Sequence, residues 1–115
     1  MSLESRAQQT AGGWGEIGPA DAAPELAGIR VIDVRETHEY VGQLGHISGA
    51  ELVPLGGLLE EAPAWNREAP LLLVCRSGGR SAHAAQALGK LGFTTLYNLT
   101  GGMLAWNAAG LPVDR

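Results

Sequence analysis

The sequence holds a single cysteine, six aromatic residues and no long apolar run. One cysteine excludes an internal disulfide and any cysteine-rich zinc site. The longest apolar stretch, Leu71-Leu72-Leu73-Val74-Cys75, falls far short of the about 20 residues that cross a membrane. No basic, hydrophobic start resembles a signal peptide. A reducing, cytoplasmic compartment with no membrane partner is therefore the expectation. Charged residues make up only 17% of the chain, and the net charge is −4. That balance speaks against a general nucleic-acid binder. His38 has no companion at ligand spacing, so no metal is expected.

What is present suits one globular domain. The chain has 115 residues, of which 45% are apolar, enough for a real core. Glycine is abundant, at 17 residues, and without a three-residue period it reads as many tight turns. Charge is unevenly spread. Residues 1–68 carry eleven acids and four bases, whereas residues 69–113 carry Arg76, Arg80 and Lys90 and no acid. The only cysteine lies in that acid-free stretch, as a site for a small anion would require.

Residues 1–13 are polar and small and read as a flexible N-terminal tail, with a single domain over 14–115. Within the domain, short apolar segments alternate with helical ones. Residues 29–34, 51–53, 71–74 and 94–99 read as strands, with 14–17 as a possible edge strand. The segment 71–74 is continuously apolar and suits a strand buried on both faces. Pro24 breaks any helix over 19–26, and 36–41 and 55–62 make short helices. The clearest helix runs over 81–91, with Ser81 as N-cap, Ala84, Ala87, Leu88 and Leu91 on one face, and Gly92 beyond its end. A last helix spans 101–109, with Thr100 as its cap. This alternation implies an α/β fold with a mostly parallel sheet covered on both faces. Reactive loops then lie at the carboxyl ends of the strands.

One such loop carries the chemistry. In Cys75-Arg76-Ser77-Gly78-Gly79-Arg80-Ser81, a buried strand ends at Cys75, a glycine-rich turn follows, and a helix begins. A tight loop of this kind points successive backbone N–H groups at one place and adds the positive end of a helix dipole. A Cys75 thiolate in that cup is stabilised and becomes a nucleophile at neutral pH. Four residues separate Cys75 from Arg80, one fewer than in cysteine phosphatases. The tighter cup suits a single sulfur or the outer sulfur of a small oxyanion better than a phosphoryl group.

Four stretches, in order, make the chain closely similar to the rhodanese family of thiosulfate and persulfide sulfurtransferases. They are Asp33-Val34-Arg35-Glu36 with Glu39-Tyr40; Gly45-His46-Ile47-Ser48-Gly49-Ala50; the 75–81 loop; and Leu99-Thr100-Gly101-Gly102-Met103-Leu104-Ala105-Trp106 with Gly110-Leu111-Pro112-Val113. The resemblance covers about residues 16–113. It implies a doubly wound sheet of five strands and a two-step sulfur transfer through a Cys75 persulfide. It also implies that N–H groups from Ser77 to Ser81 hold the persulfide, that Arg76 and Arg80 orient the anionic donor, and that no cofactor is required. The implied partners are small sulfur anions (thiosulfate, polysulfide or persulfide) and a thiol or cyanide acceptor. A protein sulfur donor or acceptor is an alternative, as is a sulfur-carrier role. A non-catalytic module is opposed by the intact Cys75. A monomer or weak homodimer is expected.

The remaining polar residues read as support. Asp33 ends a strand and is expected to order the loop region rather than act as an acid or base, with Arg35 as its partner or that of Glu36 or Glu39. His46, in a glycine-flanked turn, reads as a hydrogen-bonded structural histidine. His83, one turn into the helix after the loop, reads as solvent-facing, with a place at the border of the active-site mouth as the alternative. Trp65 either rims the pocket or covers the core. Gly101-Gly102 reads as a place where backbones approach closely.

Overall fold

The computed structural model describes residues 2–115. Six strands form one sheet: β1 (Gln8–Gln9), β2 (Gly15–Ile17), β3 (Arg30–Asp33), β4 (Glu51–Leu52), β5 (Leu71–Val74) and β6 (Leu96–Leu99), in the order β1-β2-β6-β5-β3-β4. All pairings are parallel except β1 with β2. The five expected strands are therefore present, and a sixth, antiparallel one covers the edge of β2.

The helices are α1 (Leu3–Arg6), α2 (Pro19–Ala22), α3 (Thr37–Tyr40), α4 (Leu58–Glu61), α5 (Gly79–Lys90) and α6 (Gly102–Ala108). All four residues of β5 are fully buried. Because side chains alternate across a strand, Leu71 and Leu73 enter one core with Ile32, Leu58, Ala84, Ala85 and Leu88. Leu72 and Val74 enter the other, with Val31, Ile17, Leu99, Met103 and Trp106. One core is thus roofed by α4 and α5, the other by α1, α2 and α6. Among the described residues, no helix is long and apolar enough to cross a membrane.

The strand order places the site. The chain runs from β3 outward to β4 on one side, and from β5 outward to β6 on the other. The loops leaving β3 and β5 diverge, so a crevice opens at their carboxyl ends. Cys75 follows β5 directly, and Arg35 lies just beyond β3. Trp65 sits at the opposite end. Its ring packs edge-on to Phe93 and beneath the Arg30 guanidinium, at the start of β3. It covers the core and does not rim the crevice.

Three expectations need correction. Residues 3–9 are not a loose tail: Leu3 is 2% exposed in the second core, and β1 extends the sheet. Helix α5 begins two residues earlier than expected and is capped by Gly78, whose φ of 103° a residue with a side chain rarely adopts. The Ser81 hydroxyl is therefore free for another partner. Helix α6 is likewise capped by Gly101, and the Thr100 hydroxyl donates instead to Glu16. Replacing Leu3 with Ala is expected to cost about 2–3 kcal/mol in urea unfolding. A loose tail would show no change.

Candidate active site

The 75–81 loop turns its N–H groups inward. The Gly78 N–H donates to Cys75 Sγ at 3.0 Å, and the Ser81 hydroxyl lies 3.2 Å from the same sulfur. Cys75 is 1% exposed, at the floor of the loop. Burial alone pushes its thiol up. The Ser81 hydroxyl and the backbone N–H groups of Ser81, Gly78 and Ser77 outweigh that and hold the thiol below its ordinary value.

Inward N–H groups leave outward carbonyls, and buried carbonyls need donors. The Met103 N–H donates to Cys75 O at 2.9 Å, and the Leu104 N–H to Arg76 O at 3.0 Å. Asn98 Nδ2 donates to Gly78 O at 3.0 Å. The first turn of α6 thus clasps the loop from behind. This contact needs glycine. Gly102 has a φ of 57°, and a Cβ there would lie 2.4 Å from Cys75 O and 2.6 Å from Arg76 O. The close backbone approach expected at Gly101-Gly102 is this one.

Charge surrounds the loop in three layers. Asp33 and Arg35, 0% and 1% exposed, form a two-pronged buried pair with bonds of 2.9 and 2.7 Å. Arg35 also donates to the carbonyls of Glu39 and Gly45, at 3.2 and 2.8 Å. A buried ion pair persists when its remaining donors are satisfied in this way. It ties β3 to α3 and to the turn that holds His46. In that turn, the His46 ring stacks on Tyr40 at 3.6 Å and its Nδ1 bonds Tyr40 O at 2.7 Å. Its backbone pairs with Asp114. These contacts fix the His46 ring against Tyr40.

Arg80 lies one layer out. Its guanidinium makes two 2.8 Å bonds to the Glu39 carboxylate. Glu39 is missing from the sequence-based candidates, although it stands within the first quoted signature; its partner is 41 residues away. Arg76 is the outermost. It is exposed, and its guanidinium forms no hydrogen bond or ion pair among the described residues. It borders a cleft of about 240 Å³ lined also by His38, Glu39, Gln43 and Leu44. Asn98 and Glu16 were also missed. A polar residue inside the apolar strand Leu96–Leu99 was the available signal. His83 is exposed, as expected. No group of acids, histidines and cysteine among the described residues is arranged to hold a metal ion.

The model of the rhodanese-like domain matches residues 19–109, and the chain belongs to that family. It is 35% identical over 98 residues to the thiosulfate sulfurtransferase GlpE of Pseudomonas paraeruginosa, covering 80% of this chain and 86% of that protein. It is 43% identical over 77 residues to the uncharacterized protein YqhL of Bacillus subtilis, covering 67% of this chain; the chain spans 60% of YqhL's length. A rhodanese-related protein from Thermoplasma volcanium has the same fold, with a TM-score of 0.77 at 30% identity over 84% of this chain and 94% of that one.

Two outcomes test this geometry. Gly102→Ala is expected to lose at least about 2 kcal/mol of stability, because it strains a positive φ and meets immovable backbone. Urea unfolding measures it. The second concerns Glu39. The Arg80 guanidinium holds its carboxyl at about 2, below its ordinary 4.5. A depressed acid contributes stability above its ordinary value and loses it as pH falls toward the folded value. The unfolding free energy should therefore decline between about pH 4.5 and about pH 2. Glu39→Gln should lack that part of the decline.

Proposed function

We propose that the chain is a sulfurtransferase that carries a sulfane sulfur on Cys75. The observation that carries this reading is the convergence of Ser77, Gly78 and Ser81 donors on one buried sulfur. Membership of the rhodanese-like family and similarity to GlpE support it.

In the first step, the Cys75 thiolate attacks the outer sulfur of thiosulfate. A new S–S bond forms at Sγ, the S–S bond of thiosulfate breaks, and sulfite leaves with the electron pair. In the second, an acceptor thiolate or cyanide attacks the outer sulfur of the persulfide, and Cys75 leaves as the thiolate. The negative charge sits on sulfur throughout, within reach of the fixed N–H groups from Ser77 to Ser81. Such preorganised donors stabilise developing charge without reorganising. Arg76, whose guanidinium has no partner among the described residues, lies at the cleft and draws in the anionic donor. Arg80 contributes less net charge than its position suggests, because Glu39 offsets it; its role is to brace α5 against α3. Asp33 and Arg35 hold the crevice wall. A preformed thiolate needs no general base, and neither step requires a metal or organic cofactor. The acceptor is a thiol, free or on a partner protein, or cyanide.

Intact mass after incubation with thiosulfate tests this. The native protein should gain one sulfur atom, removable by reductant, and Cys75→Ser should gain none. Failure to gain sulfur from thiosulfate and from polysulfide alike would overturn the reading.

A further inference from the structure

Asn98 lies in the middle of β6 and is 2% exposed. Its Nδ2 donates to Glu16 Oε2 at 3.0 Å, to Glu16 Oε1 at 3.2 Å and to Gly78 O at 3.0 Å. With three acceptors on one side, the NH2 group must face them. Oδ1 then faces the Ser81 hydroxyl, with which it is hydrogen-bonded. Glu16 is itself held in place. Its carboxylate also accepts from Trp14 Nε1 at 2.7 Å and Thr100 Oγ1 at 2.8 Å. A serine hydroxyl carries one proton. That of Ser81 has two acceptors in reach, Asn98 Oδ1 and Cys75 Sγ.

We propose that Ser81 is a two-position donor, its proton lying on Cys75 Sγ when that sulfur is charged and on Asn98 Oδ1 when it is not. Glu16 is the positioning residue that keeps the Asn98 acceptor turned toward it. A thiol sulfur is a weak acceptor, so the hydroxyl bonds to Asn98 in that state. When the thiol proton leaves to solvent, the charged sulfur is the stronger acceptor and the hydroxyl turns to it. Asn98 competes for the same proton. The competition keeps the thiolate less stabilised than an unopposed serine would, and so more nucleophilic. In the persulfide, the charge moves to the outer sulfur and the hydroxyl returns to Asn98. That last state rests on the function proposed above; the first two do not.

The thiolate's own ultraviolet absorbance, followed against pH, tests the proposal. The chain has one cysteine, so the signal is that of Cys75. Burial pushes both Tyr40 and Tyr97 up, which keeps tyrosinate absorbance clear of it. The other charged groups around the loop are Arg76, Arg80, Glu39, Asp33 and Arg35, and they are the same in every variant. Ser81→Ala should raise the midpoint by about one pH unit. Glu16→Gln loosens the hold on the Asn98 amide and should lower the midpoint by a few tenths of a unit. It should do so only where Ser81 is present, and leave the Ser81→Ala protein unmoved. Loss of the Glu16 charge acting through space would shift both backgrounds equally. Equal shifts in both, or no shift in either, would overturn the proposal. Asn98→Ala removes the competing acceptor directly and is read by the same rule if Glu16→Gln fails to fold. No sulfur donor enters the measurement, so it stands apart from the thiosulfate experiment.

Discussion

The site depends on one backbone constraint. A loop that points its N–H groups at a single sulfur must point its carbonyls the other way, into the protein. Those carbonyls are matched by Met103 N–H, Leu104 N–H and the Asn98 amide. The clasp explains several otherwise separate features. Gly78 adopts a positive φ so that its N–H can reach Sγ while its carbonyl reaches Asn98. Gly102 gives up its side chain so that α6 can sit against Cys75 and Arg76. Helix α6 is anchored in turn by Met103 and Trp106 in the core. The acidity of one thiol is thus tied to the packing of a helix that holds the loop by its carbonyls.

Charge is arranged around that clasp by degree of burial. The acid-free stretch 69–113 does not make an acid-free site, because the fold brings Glu16, Asp33 and Glu39 back to the loop from earlier in the chain. Each acid has a fixed duty. Asp33 satisfies a buried arginine, Glu39 pairs with Arg80, and Glu16 orients Asn98. Among the described residues, the Arg76 guanidinium is left unpaired at the mouth. The field felt by an incoming anion therefore comes mainly from Arg76 and from oriented N–H groups.

Much of this was legible in the sequence. Strand β5, the reactive loop after it and the glycine pair of α6 each follow from a local pattern: an apolar run, a glycine-rich turn, two adjacent glycines. What was not legible depends on distance. The Glu16–Asn98 and Arg80–Glu39 contacts join residues 82 and 41 positions apart. The start of α5 was misplaced because Ser81 has the chemistry of a cap, and only the backbone angle of Gly78 shows that the cap is elsewhere. The N-terminal segment carries no strand signal in its sequence, because its strand residues are two exposed glutamines. A lone buried leucine is too little periodicity to mark a helix.

The loop makes Cys75 acidic although it is buried. Titrating the thiolate of the native protein tests this most directly. A desolvated cysteine without inward donors titrates above the ordinary value of about 8.5. With the Ser77, Gly78 and Ser81 donors turned inward, the midpoint should fall clearly below that value. A midpoint at or above it would mean that burial prevails over the N–H groups and that the loop does not make Cys75 acidic.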